Sequence, residues 1–312
     1  MKILAVDDDA YIRELLLLII SRSGYEDITV APSGDAALVA IEVADPAFDC
    51  LFFDIQMPGM DGIELCTRVR RIDGYEKTPI IMLTAMTERD FIDRAFAAGA
   101  TDYVTKPFDT LELGVRARNA EELIKARRAA LGGPETERGL LLLEAIKDLV
   151  DHQVLRNYLT QLSRAGSHGT QLVAIKIDNI AGIRTKGSVA ELRYALTDVA
   201  KAISGTLSPF GVLMAEAGIG VFVCVSNNPN LFEPMEIEAA IQTILDDRDA
   251  VFDDGSPMDI DVSVGASIRP NSSEARDVDE VIDRAIARAE NRIQEKAKPA
   301  IRLHIRRDIG RR

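Results

Sequence analysis

Asp7, Asp8 and Asp9 stand in a row after the apolar run Ile3-Leu4-Ala5-Val6, Asp54 closes the run Cys50-Leu51-Phe52-Phe53, Thr84 closes Ile80-Ile81-Met82-Leu83, and Lys106 follows Asp102-Tyr103-Val104. Carboxylates brought together repel one another and call for a cation, and a hard divalent ion with oxygen ligands answers that need. Magnesium suits such a pocket, because it keeps several waters and takes few protein carboxylates together with a phosphate oxygen. Asp54 would then be a nucleophile toward phosphorus, with Thr84 donating to one phosphoryl oxygen and Lys106 neutralising another. Asp9 and Asp109 have a second reading as helix N-caps, and the Lys106-Pro107 peptide is open to the cis form.

For these groups to meet, the runs that carry them must end on one edge. Ile3–Val6, 28–31, 50–53, 80–83 and 102–104 read as five strands, and helix-period segments starting near Ala10, Gly34, Asp61, Glu88 and Asp109 lie between them. Continuous apolar strands joined by helical crossovers predict a parallel, doubly wound α/β sheet covered on both faces. In such sheets, ligand-binding groups gather at the carboxyl ends of the strands.

A chain of 312 residues exceeds one ordinary core, and Gly132-Gly133-Pro134 interrupts the fifth helix. The expected division is residues 1–125, a helical linker over 126–167 and a second unit over 168–312. Within the linker, a stripe from Leu140 through Ile146, Leu149-Val150, Leu155, Leu159 and Leu162 reads as a helical packing face beginning near Glu135. Beyond it, strands near 172–177, 212–215, 221–225 and 260–266 alternate with helices near 190–203, 234–245 and 278–293. This rhythm predicts a second α/β domain with a mixed sheet, in which Ala217-Gly218-Ile219-Gly220 turns a hairpin.

The net charge of −13 argues against a nucleic-acid footprint, and the short basic pairs Arg127-Arg128, Arg306-Arg307 and Arg311-Arg312 read as solvated charge. Cys50, Cys66 and Cys224 form no CxxC pair, which suits unpaired thiols in a reducing compartment. Lys2 followed by a strand and three aspartates does not resemble a secretory signal, and no run reaches the length of a membrane span. A cytoplasmic protein with no membrane or nucleic-acid partner is expected.

Val6-Asp7-Asp8-Asp9, Phe53-Asp54-Ile55-Gln56-Met57-Pro58-Gly59-Met60-Asp61-Gly62, Leu83-Thr84-Ala85 and Lys106-Pro107-Phe108 together resemble the receiver domain of bacterial response regulators. The resemblance implies phosphorylation of Asp54 by a sensor histidine kinase or phosphotransfer protein. It also implies a magnesium ion ligated by Asp8, by Asp7 through water, by Asp54 and by the main-chain carbonyl of Gln56. Thr84 and Tyr103 become a switch pair, in which the threonine moves to the phosphoryl oxygen and the ring turns inward. The switch biases a face made of the fourth helix, fifth strand and fifth helix. That face commonly dimerises in the family, so a homodimer through the receiver is one expectation.

The second unit resembles a GGDEF, or diguanylate cyclase, domain in its framework: Ile175-Lys176-Ile177-Asp178-Asn179-Ile180, Ala217-Gly218-Ile219-Gly220-Val221, Val262-Ser263-Val264-Gly265 and Ala289-Glu290 fall on the family's positions. Its chemistry departs. Lys176 replaces a metal-binding aspartate, Arg184 and Arg193 replace guanine-reading residues, and Ile219 and Gly220 after Gly218 replace the signature acids. Asp178 survives. Two-metal phosphoryl transfer needs fixed carboxylates, so the resemblance implies an inactive cyclase that signals to an unidentified downstream protein. The alternatives are a divergent diguanylate cyclase and a non-catalytic sensor of guanine nucleotides or cyclic dinucleotides.

Overall fold

The computed structural model describes residues 1–85, 88–132, 146, 148–166, 169–228, 231, 233–270 and 277–297. The first five strands are β1 (Ile3–Val6), β2 (Ile28–Ala31), β3 (Cys50–Asp54), β4 (Ile80–Thr84) and β5 (Asp102–Thr105), all parallel, in the order β2-β1-β3-β4-β5. The crossovers are α1 (Ala10–Arg22), α2 (Gly34–Glu42), α3 (Gly62–Val69) and α4 (Arg89–Ala97), and α5 (Thr110–Gly132) follows β5.

β1, β3 and β4 are apolar throughout apart from Asp54 and Thr84 at their ends, and every residue in them is buried. Side chains alternate across the sheet. Ile3, Ala5, Phe52, Ile81 and Leu83 therefore face α1 and α5, while Leu4, Val6, Phe53 and Met82 face α2, α3 and α4. Helix starts are fixed by acceptor side chains: Asp9 accepts from Tyr11 N, Asp61 from Glu64 N at 2.7 Å, and Asp109 from Glu112 N at 2.7 Å. The capping readings of Asp9 and Asp109 therefore hold, and Lys106-Pro107 is cis.

The second sheet has the order β10-β7-β9-β8-β6, formed by β6 (Leu149–Val150), β7 (Gln171–Ile177), β8 (Val212–Gly218), β9 (Val221–Ser226) and β10 (Val262–Val264). It is mixed: β6 lies parallel to β8 and the other pairs are antiparallel. Around it lie α6 (His152–Ala165), α7 (Ile180–Lys186), α8 (Val189–Leu207), α9 (Pro234–Asp246) and α10 (Val278–Ala297). The hairpin turns at Ile219-Gly220, where Gly220 has φ 73° and a Cβ would lie 2.8 Å from Ile180 Cγ1.

The stripe expected as one helix from Glu135 is not continuous. Asp148 takes a left-handed φ of 71°, Leu149 and Val150 pair with Met214 and Ala215, and the helix starts only at His152. A two-residue strand between a left-handed turn and a helix leaves no periodic signal, because both its apolar residues also fit a helical stripe. The earlier part of that stripe, Leu140 to Leu143, lies outside the described residues.

α6 lies between the two sheets. Val154, Leu155, Tyr158, Leu159 and Leu162 join Phe96 and Tyr103 of the first unit and Leu172, Ala215 and Val223 of the second in one apolar cluster.

Candidate functional site

The strand order places Asp7 after β1, Asp54 at the end of β3, Thr84 at the end of β4 and Lys106 after β5, all at one carboxyl edge. Asp7 and Asp54 are buried and Asp8 is exposed, and one carboxylate oxygen from each lies within 4.8 Å of the others. The ammonium of Lys106 sits 2.7 Å from Asp7 Oδ2 and 2.8 Å from Asp54 Oδ1. Asp7 Oδ1 also accepts from Asp9 N at 3.0 Å, and Arg13 Nη1 donates to Asp7 O at 2.7 Å. These contacts orient the acidic turn.

Burial pushes the Asp54 carboxyl up to about 6; Lys106 pulls it down, and Asp7 and Asp8 push it further up. At Lys106, burial disfavours the charge, but hydrogen bonds to Asp54 and Asp7 outweigh it and hold the ammonium above the ordinary lysine range. The pocket thus concentrates more negative charge than its one lysine neutralises. Three carboxylates at this spacing supply hard oxygen donors, and the solvent-facing Asp8 leaves an entry side, so the residues present fit a small divalent cation.

Gly62 opens α3 against the main chain of Asp54. A Cβ there would lie 2.1 Å from Asp54 O, so only glycine lets the helix approach this closely. Gly62 N donates to Ile55 O at 3.0 Å, which fixes the loop carrying Gln56. Gln56 is exposed, on the same loop after Asp54.

Thr84 and Tyr103 are fully buried. Burial pushes the Tyr103 hydroxyl up to about 12, moderated by its hydrogen bond with Thr84. Thr84 and Tyr103 are therefore in contact, with the ring buried in the core.

The positions singled out in the second unit also meet, around the end of β7. Ile177 N donates to Gly220 O at 2.9 Å, which brings the Gly218-Ile219-Gly220 turn beside Lys176 and Asp178. A Cβ on Gly265 would lie 2.6 Å from Ala289 N, so α10 packs directly on the end of β10. Two carboxylates here are held by lysines: Lys176 Nζ lies 2.5 Å from Glu290 Oε1, and Lys296 Nζ lies 2.8 Å from Asp178 Oδ2. Arg184 on α7 is exposed, Arg193 on α8 is half-buried, and neither forms an ion pair among the described residues.

Sequence reasoning missed a set of polar contacts made by α6. Gln153, Asn157 and Gln161 recur at four-residue spacing among the apolar positions of that helix, a signal that was available. Asn157 and Gln161 are buried, and both donate to main-chain carbonyls of the first unit.

Residues 3–118 match the response regulator receiver domain family. The chain is 41% identical over 117 residues to the transcriptional regulatory protein ResD of Bacillus subtilis, covering 38% of this chain and 46% of that protein. It is 34% identical over 184 residues to the phosphate regulon transcriptional regulatory protein PhoB of Pseudomonas aeruginosa, covering 54% of this chain and 77% of that one. Among solved structures, it is 35% identical to the Vibrio cholerae chemotaxis protein CheY4, over 38% of this chain and 97% of that one, with a TM-score of 0.36. The chain thus spans just under half of ResD and about three quarters of PhoB.

Proposed function

Because the chain belongs to the response regulators through its receiver domain, we propose that it takes a phosphoryl group on Asp54 and passes the signal to a second unit that acts by contact, not by catalysis. The observation that carries the first half is the Lys106 ammonium bridging Asp7 and Asp54 beside a buried Thr84.

A carboxylate oxygen of Asp54 attacks phosphorus as the bond to the donor's leaving nitrogen or oxygen breaks, forming an acyl phosphate. Asp7, Asp8, Asp54 and the main-chain carbonyl of Gln56 would hold magnesium, which when bound supplies positive charge against the phosphoryl oxygens. Lys106 neutralises a phosphoryl oxygen once Asp54 no longer carries its own charge, and Thr84 donates its hydroxyl to another. The donor is a sensor histidine kinase or a phosphotransfer protein. Three free, buried thiols suit a reducing compartment, the cytoplasm.

The second unit reads as an inactive GGDEF-like domain. Its surviving Asp178 and the nearby Glu290 are each paired with a lysine, so ammonium groups stand where a cyclase would need cations. Purified protein with GTP and magnesium should form no cyclic dinucleotide. Turnover that Asp178→Ala abolishes would establish a divergent cyclase instead, and calorimetric heat with a guanine nucleotide would favour a sensor.

A DNA-directed output is the second reading, favoured by the names of ResD and PhoB as transcriptional regulators. The net charge of −13 opposes it. Salt-dependent retention on duplex DNA would favour that reading.

A further inference from the structure

The outer edge of β5 is the edge of the receiver sheet on the side of the switch, and an edge strand presents unpaired main-chain groups. Side chains of α6 take the carbonyl of the residue just before β5 and one within it: Asn157 Nδ2 donates to Thr101 O at 3.0 Å and Gln161 Nε2 donates to Tyr103 O at 2.9 Å. The spacings match. Four residues along a helix rise about 6 Å, and two residues along a strand rise about 6.6 Å. One helix face can therefore place two amides on alternate carbonyls of one strand edge, with the chains running in the same direction. Gln153 Nε2 donates to Asn157 Oδ1 at 3.0 Å and holds the first amide in place.

A second polar contact fixes α6 against α4. Asp93 Oδ1 accepts from Tyr158 OH at 2.8 Å and from Asn227 Nδ2 at 2.8 Å, and Asn227 Nδ2 also lies 2.7 Å from Tyr158 OH. Thr170 donates to Asn227 Oδ1 at 2.9 Å and accepts from Arg89 Nη2 at 2.8 Å. The network joins α4, α6 and the ends of β7 and β9. On its other side α6 packs on the second sheet through the apolar cluster it shares with Leu172, Ala215 and Val223.

We propose that α6 is an in-chain clamp on the β5 edge, registered by Asn157 and Gln161, whose grip on the strand carrying Tyr103 couples the state of Asp54 to the second unit. The proposal rests on the reading of Asp54 as phosphoacceptor. The geometry shows why the coupling is direct: the ring of Tyr103 meets Thr84 in the receiver core while its carbonyl accepts from Gln161. A shift of Thr84 toward a phosphoryl oxygen alters what holds the ring, and any movement of the strand opposes the two amide bonds. The same clamp covers the edge through which a second receiver would pair, so a homodimer through this face requires α6 to leave it.

Coupling between two sites is reciprocal for binding and conformational equilibria. If phosphorylation loosens the clamp, a weaker clamp favours the phosphorylated conformation. The test uses the full chain with acetyl phosphate and magnesium, comparing wild type with Gln161→Met, which keeps the volume and removes the donor, and with Tyr158→Phe, which leaves Asp93 bonded to Asn227. Backbone amides of residues 152–165 should exchange about fivefold or more faster in the phosphorylated wild type, and both variants should reach half-maximal phosphorylation at about fivefold or more lower acetyl phosphate while melting cooperatively. Normal phosphorylation with unchanged exchange in the helix and an unchanged acetyl phosphate midpoint in both variants would overturn the clamp while leaving Asp54 as the acceptor. An absence of any phosphoryl group on Asp54 would overturn both.

Discussion

The ammonium of Lys106 lies 2.8 Å from the carboxylate of Asp54, and it reaches Asp7 at 2.7 Å with the same nitrogen. One internal cation therefore serves two buried anions. Replacing it by Lys106→Met removes the ammonium from both buried carboxylates and leaves Asp7 only its bond from Asp9 N, a cost of about 1 to 3 kcal/mol for such groups. The variant should unfold at lower urea than wild type at pH 8 without metal, and magnesium should stabilise it more than it stabilises wild type. Equal magnesium responses would count against a shared cation site.

Gly62→Ala tests the close approach of α3 to Asp54. Its Cβ would lie 2.1 Å from Asp54 O, a contact with backbone that no side-chain rotation relieves. We expect a loss of stability of about 2 kcal/mol or more, as for overpacking, together with slower phosphorylation because Asp54 must move. Gly59→Ala is the comparison, since a Cβ there meets nothing within 4 Å but adopts φ 80°. Its cost should be about 1 to 2 kcal/mol of backbone strain with less effect on the phosphorylation rate.

The first unit was legible because each of its elements carries its own local signal. Val6, Phe53 and Leu83 close apolar runs that only a covered parallel strand explains, and the polar residues that follow them mark the sheet edge. The five expected strands accordingly lie within one residue of the observed ones. What escaped was long-range. Nothing local tells that Leu149-Val150 pairs with Met214-Ala215, or that Gln161 seeks the carbonyl of Tyr103. In the second unit the turn at Gly220 was legible from its glycine. The pairing of Lys296 with Asp178 was not, because it joins side chains 118 residues apart.

Glu216 gives a pH test of the second unit. It lies in β8 beside the hairpin turn, and burial pushes its carboxyl up to about 7, offset in part by Gly220 N. A raised carboxyl pKa favours the protonated folded state, so its stabilising contribution is full below about pH 4.5 and is lost as pH rises through about 7. Glu216→Gln should therefore gain stability over wild type between pH 5 and pH 8, by at most about 3 kcal/mol at the upper end. Urea unfolding at several pH values measures it, and a constant difference across that range would contradict the burial of this carboxyl.

The central claim is that Asp54 is the phosphoacceptor. The most direct measurement is peptide mapping by mass spectrometry of the full chain after acetyl phosphate treatment, with and without magnesium, in wild type and Asp54→Ala. The account predicts a phosphoryl group on the peptide containing Asp54, dependent on magnesium and absent from the variant. A phosphoryl group on another residue that persists in Asp54→Ala, or no phosphoryl group on magnesium-supplied wild type, would contradict it.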